Sequence, residues 1–247
     1  MDFKDEISHH AIVRVPCPHC SHLCSSITKS CPKCGEPIKH LKKTASKEAN
    51  LALIEAYESD VMYIRNLEKK LGKSISPVKK LRRNSIGYTI DSDCIIGLSL
   101  FKCNLEEIPL EVFKLSSLTT LYLRRNSISQ IPYIIETLKD LEILDLSINN
   151  LTKLPPSIGL LQNLKMLNLS SNKLVNIPQT VSSLKKLEIL YLNNNRLKNI
   201  PIEVERLPLL KKIDVRGNLL LSDRDYSIRL KKKQKARVKQ KSLDDFF

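Results

Sequence analysis

Seven cysteines punctuate this chain of 247 residues, and four of them form two C-x-x-C pairs, Cys17-Pro18-His19-Cys20 and Cys31-Pro32-Lys33-Cys34. Each pair can turn two thiolates towards one ion, and two such turns complete a tetrahedral site of the kind Zn²⁺ takes. Residues 1–40 hold too few apolar groups to bury a core, so bound metal would supply the folding free energy. The candidate ligands are Cys17, Cys20, Cys31 and Cys34, with His19, His22 and Cys24 close enough in sequence to compete. A redox role would need a βαβ setting, which surrounds neither pair. The odd cysteine count, the paired spacing and a start that mixes acids and histidines point to a reducing compartment. Cytoplasmic localisation is therefore expected, in association with nucleoid or nucleus if the basic segments bind polyanions.

A second chemistry lies at residues 240–247, Gln-Lys-Ser-Leu-Asp-Asp-Phe-Phe. Leu243 and Phe246 are three apart, so one 3₁₀ turn puts them on one side with Phe247 beside them. The result is a three-pronged apolar plug with Gln240 as a polar probe one turn earlier. Large apolar groups on a charged segment usually mean a partner pocket. Just upstream, residues 229–241 carry eight basic side chains and no acidic one. Arg229, Lys231, Lys232, Lys233, Lys235 and Arg237 would attract a polyanion such as nucleic acid.

Other chemistries are missing. The five histidines lie at 9, 10, 19, 22 and 40, and no Gly-rich phosphate loop, HExxH or GxSxG occurs, so an enzyme is not expected. No run of about 18 apolar residues exists, and no membrane span is expected. The net charge of +15 divides evenly, with +5 in each of residues 1–94, 95–220 and 221–247, and is densest in the last segment.

The element that must position these ends is a repeat of 23 residues running through 95–220. Read from Leu118 it is L-x-x-L-x-L-x-x-N-x-I-x-x-I-P-x-x-I-x-x-L-x-x. The Asn position falls at Asn126, Asn149, Asn172, Asn195 and Asn218, with Cys103 in the first unit, where it reads as structural. Each L-x-x-L-x-L is a short strand with its leucines inward, successive strands form a parallel sheet, and I-x-x-L packs the convex side. Outward positions then line a concave face that includes Phe101, Tyr122, Arg124, Asp145, Asn168, Tyr191, Asn193 and Asp214. That face mixes aromatic, small polar and both signs of charge. It suits a protein partner better than DNA, which would need a basic stripe.

Between knob and repeat, Ser46 to Leu71 lacks Gly and Pro and predicts one helix stopped by Gly72. Its apolar face combines Ile54, Tyr57, Val61, Ile64 and Leu71 with Leu53 and Leu67 at the edge, and should cap the solenoid. Lys79-Lys80-Leu81-Arg82-Arg83 reads as a basic linker that touches phosphate or is simply solvated, and Tyr88-Thr89-Ile90 as a capping strand.

The repeat resembles the leucine-rich repeats of the intracellular class, many of which are adaptors for GTPases, kinases or phosphatases. The cysteine segment resembles the short zinc ribbons, with knuckles of the form C-P-x-C-G; the second knuckle matches through Gly35, and the first has Ser21 at that place. The tail resembles the PIP box, Q-x-x-[aliphatic]-x-x-[aromatic]-[aromatic], by which clients, many of them archaeal, bind the sliding clamp PCNA; Gln240, Leu243, Phe246 and Phe247 fill its positions.

The expected fold is an α/β solenoid. A zinc ribbon (1–40), a helix with basic linker (41–87), a leucine-rich repeat solenoid with caps (88–228) and a basic tail (229–247) follow one another. These resemblances imply a non-enzymatic, zinc-binding adaptor in DNA replication or repair. It would bind PCNA through the tail and a protein through the concave face, without a small-molecule substrate. The alternatives are a general signalling adaptor with a GTPase, kinase or phosphatase partner, and a zinc-ribbon protein that binds nucleic acid directly.

Overall fold

A computed structural model describes residues 60–91 and 94–220 with their side chains, and the backbone of 14–16 and 23–25. The first two strands, β1 (Arg14–Pro16) and β2 (Leu23–Ser25), pair antiparallel. The four candidate zinc ligands lie outside the described residues, as do the start of the expected helix and the whole of 221–247.

The repeat builds one sheet of seven strands in sequence order: β3 (Ile86–Asp91), β4 (Cys94–Leu100), β5 (Thr120–Tyr122), β6 (Ile143–Asp145), β7 (Met166–Asn168), β8 (Ile189–Tyr191) and β9 (Lys212–Asp214). From β4 to β9 every pair is parallel and advances by one repeat, so that Leu98, Leu121, Leu144, Leu167 and Leu190 stand in one buried row. A strand of a two-residue period with both flanking leucines inward can bury that row only in this register, because a one-residue slip would turn every leucine outward.

The convex side is made of short 3₁₀ turns at Leu110–Lys114, Tyr133–Thr137, Pro156–Leu160 and Gln179–Ser183, and of one α-helical turn at Ile202–Glu205. Each starts directly after the repeat's proline, whose carbonyl accepts the first hydrogen bond, as in Ile135 N–H to Pro132 O at 3.1 Å. Proline suits this place because its φ is preset and its absent N–H has no turn partner to find. Val112, Ile135, Ile158, Val181 and Val204 then point into the core.

The asparagines stitch coil to coil. Asn172 Oδ1 accepts from Leu151 N–H at 3.0 Å, while Nδ2 donates to Leu146 O and Leu169 O, each at 3.0 Å. Asn126, Asn149, Asn195 and Asn218 repeat the pattern. The first unit has no coil before it to bridge, so Cys103 can stand there, its own N–H donating to Asn126 Oδ1 at 2.9 Å. Burial pushes the Cys103 thiol above its usual range, an effect Lys73 opposes only in part, which fits the structural role expected of it.

The residue before each asparagine, and before Cys103 in the first unit, is left-handed: Lys102, Arg125, Ile148, Ser171, Asn194 and Gly217 have φ between 52° and 68°. Glycine and asparagine accept this region readily, whereas a β-branched side chain does not. Ile148 (φ 57°) is therefore the strained member of the row. Ile148→Asn, which copies Asn194, should stabilise the fold by about 1 kcal/mol. A thermal midpoint unchanged or lowered by the substitution would mean that Ile148 packing outweighs the backbone cost.

At the N-terminal end, α1 (described over 60–71) lays Ile64 and Leu67 into the same core, with Tyr63 and Leu71 partly buried beside them. Leu67 is at the centre of the buried face, where the periodicity put it at the edge. Gly72 (φ 59°) ends the helix as expected. Asp60 accepts from Ile95 N–H at 3.2 Å, and Lys70 meets Glu111 at 2.7 Å, so the helix is tied to the first repeat at both ends of its described span. The capping strand is longer than Tyr88-Thr89-Ile90 and forms an antiparallel ladder with β4; Ser76–Val78 adds to its outer edge through Val78 N–H to Tyr88 O at 2.8 Å.

A concave face divided by an arginine strap

The outward side chains of β4 to β9 stand in three rows across the concave face. One row runs Ser99, Tyr122, Asp145, Asn168, Tyr191, Asp214, and the strand pairing places these side by side. The next runs Phe101, Arg124, Ser147, Ser170, Asn193, Arg216, linked coil to coil by bonds such as Arg125 N–H to Ser147 O.

The first half of this face is covered. Residues 79–85 turn back over it: Leu81 stands over Gly97, and Ser99 Oγ donates to Ser85 O. Arg83 then reaches Asp145, 62 residues later, with Nε at 2.7 Å and an Nη at 2.6 Å from Oδ2. The Asp145 side chain is 0% exposed and that of Arg83 is 41% exposed. Tyr122 lies between them electrostatically. Burial raises its phenol, Arg83 lowers it and Asp145 raises it, with a net rise.

Asp145 thus differs from the expectation of a polar group free to meet a partner, because its charge is already compensated from within the chain. Asn168, 4% exposed, is also turned to its own strand, where Oδ1 accepts from Ser170 N–H at 3.1 Å and from Ser170 Oγ at 2.8 Å. Arg83 is the residue that sequence reasoning missed. The basic cluster was visible, but nothing local says that its last member crosses to the third repeat.

The second half is more open. Tyr191 and Asn193 are half-buried, and Lys212 Nζ lies 5.0 Å from the Tyr191 ring centroid. Asp214 holds Arg216 by two side-chain bonds of 2.9 and 2.6 Å, and that bond keeps the Asp214 carboxyl below the usual range against the opposing effect of burial. Two surface depressions lie between turns on the proline side, one around Glu106, Glu107 and Leu110 and one around Gln179 and Glu203. Gln240, Leu243, Phe246, Phe247 and the basic residues 229–237 lie outside the described residues. No described helix is long and apolar enough to cross a membrane.

The family model of the leucine-rich repeat matches residues 97–151, 139–197 and 162–220, together half of the chain. The chain belongs to the leucine-rich repeat family. Among solved structures, this leucine-rich repeat protein is similar to the ectodomain of the receptor kinase SOBIR1 from Arabidopsis thaliana (26% identity, 66% of this chain and 95% of that one, TM-score 0.52). It is also similar to a leucine-rich repeat protein of Leptospira interrogans (40% identity, 50% and 31%, TM-score 0.49) and to an internalin of Listeria monocytogenes (25%, 47% and 34%, TM-score 0.43). It spans about a third of the length of these two bacterial chains. Comparison with curated proteins gives no match. Leucine-rich repeats of this kind point to protein–protein interaction, the coarse function that the concave geometry serves.

Proposed function

We propose that this leucine-rich repeat protein is a non-enzymatic connector that holds a protein partner on the second half of its concave face. The observation carrying this reading is the contrast along one row. Asp145 and Asn168 are buried and bonded internally, whereas Tyr191 is half-buried beneath a lysine and flanked by half-buried Ile189 and Asn193. An aromatic anchor amid polar groups is the composition of a binding centre. The finer part of the proposal is the address. Gln240, Leu243, Phe246 and Phe247 dock in the apolar pocket of a sliding clamp, the basic segment from Arg229 to Arg237 lies near the encircled DNA, and Cys17, Cys20, Cys31 and Cys34 hold Zn²⁺ in a separate knob. Support for the address is the match of all four motif positions and the basic run before them.

Calorimetric titration of the full chain with the clamp tests the address. Saturable heat is expected, lost when Phe246 and Phe247 are both replaced by alanine. Binding that survives the double replacement would remove the clamp reading and leave the signalling-adaptor alternative, in which Tyr191 acts without the tail.

A further inference from the structure

The edge along which the chain leaves its strands carries charge of one sign. Residues 101–105, 124–128, 147–151, 170–174, 193–197 and 216–220 supply one segment per coil, with six basic side chains and no acidic one. Two backbone ladders fix how these segments align. Lys102 N–H donates to Arg124 O, Arg125 N–H to Ser147 O and Asn194 N–H to Arg216 O, at 2.8 to 3.1 Å. Two residues further along, Lys173 N–H donates to Leu151 O and Arg196 N–H to Leu174 O, each at 2.9 Å. Equivalent residues of neighbouring coils thus stand about 4.8 Å apart, and the row from Lys102 to Arg216 is roughly 24 Å long.

Most of these cations are uncompensated. Lys102, Arg125, Lys173 and Arg196 are exposed and meet no carboxylate among the described residues, while Arg124 is half-buried and Arg216 is held by Asp214. The opposite edge, where the chain enters its strands, differs. There Lys165 meets Glu142 at 2.7 Å, Lys211 meets Glu188 at 2.6 Å, and Lys185 and Lys186 donate to Ser182 O and Asn163 Oδ1. Between the uncompensated cations stand Asn104, Ser127, Asn150, Ser171 and Asn194. Lysine, arginine, asparagine and serine are side chains that contact phosphate and sugar in nucleic-acid complexes. A lipid surface would need an apolar face to enter, and on the two ladders Leu219 is the one exposed large apolar side chain. Glu106 and Glu107 follow the first segment only, and the place of Glu107 holds Lys153 in the third coil and Lys198 in the fifth.

We propose that this edge of the solenoid binds the sugar–phosphate backbone of a nucleic acid. Lys102, Arg125, Lys173 and Arg196 each neutralise a phosphate, and the amides and hydroxyls between them donate to others. A row of roughly 24 Å matches about seven base pairs of duplex at 3.4 Å each. Backbone contacts of this kind carry no sequence information, so binding is sequence-independent. The edge borders the concave face without occupying it, so a protein on Tyr191 and a nucleic acid on the edge can be held at once. This goes beyond the connector reading and does not depend on the tail.

The test is fluorescence anisotropy of a labelled duplex of about 20 base pairs, titrated with the full chain over about 50–200 mM salt. The variant combines Arg125→Asn, which suits the left-handed backbone, with Lys173→Gln and Arg196→Gln. Its plot of log affinity against log salt should be shallower by about 2–3, with affinity near 0.1 M lowered roughly a hundredfold. The three side chains are exposed, so the unfolding midpoint should stay in place. A charge-matched variant on the opposite edge, Lys139→Gln with Lys185→Gln and Lys186→Gln, should leave the slope as it was. Absence of binding at low salt, an equal loss in the charge-matched variant, or tighter binding to phosphatidylserine vesicles than to the duplex would each overturn the proposal. A slope that the edge variant leaves unchanged would assign the phosphate contacts to residues 229–241 and remove the edge, without touching the clamp reading.

Discussion

Asn172→Ala is expected to destabilise the protein by about 4 kcal/mol, an effect that the equivalent Asn149 and Asn195 should share. The substitution leaves Leu151 N–H, Leu146 O and Leu169 O without their partner, all inside the stack. Each orphaned buried group costs about 1–3 kcal/mol, and no water can enter a coil packed on both sides to replace the amide. Asn172→Asp should be at least as damaging. It keeps the acceptor but turns both donors into a negative charge facing two carbonyls. Asn150, on the same turn type but with one long contact of 3.5 Å to Ser127 O, supplies the contrast: Asn150→Ala should move stability by less than about 0.5 kcal/mol. Urea unfolding of the three variants measures this. A loss below about 1.5 kcal/mol for Asn172→Ala would show that neighbouring coils close over the gap.

Arg83→Ala should cost about 2 kcal/mol, below the ~3–5 kcal/mol of a fully enclosed pair because water reaches part of the guanidinium. The cost comes from Asp145, which stays buried with one oxygen on Ser147 N–H at 2.9 Å and the other bare. Removing both charges is expected to be milder than removing the arginine alone, so Arg83→Ala with Asp145→Asn should recover at least about half of the loss. The strap's other contacts, Leu81 over Gly97 and Ser99 to Ser85, do not depend on the pair and should persist. Strict additivity of the two single substitutions would show that the pair is only a surface contact. Loss of the ladder between β3 and β4 in hydrogen exchange would show that it is the sole fastening of the strap.

The coil was legible in the sequence because one period specifies it. A leucine row, an asparagine and a proline at fixed places leave one register, and the structure adds that the proline opens a 3₁₀ turn in four coils and an α-helical turn after Pro201. The helix end at Gly72 and the strand around Tyr88 were legible for the same local reason. What could not be read was exposure on the concave face. Asp145 and Tyr191 occupy equivalent positions two coils apart in one row, and their difference arises from Arg83, a contact whose partners are 62 residues apart. Asn168 hides for another reason, since the serine two residues on lets its side chain fold back.

The separation between Arg83 and Asp145 also sets an order in time. Chains are made from the N-terminus at about 5–20 residues per second, so the 62 residues that separate the pair take roughly 3–12 s to follow Arg83. During that interval the growing chain adds β3 and then the first two coils to α1, but it has no acceptor for the arginine until Asp145 is made. The half of the face that the strap crosses in the finished molecule is thus uncovered early in its synthesis, and the strap is pinned only when the third coil arrives.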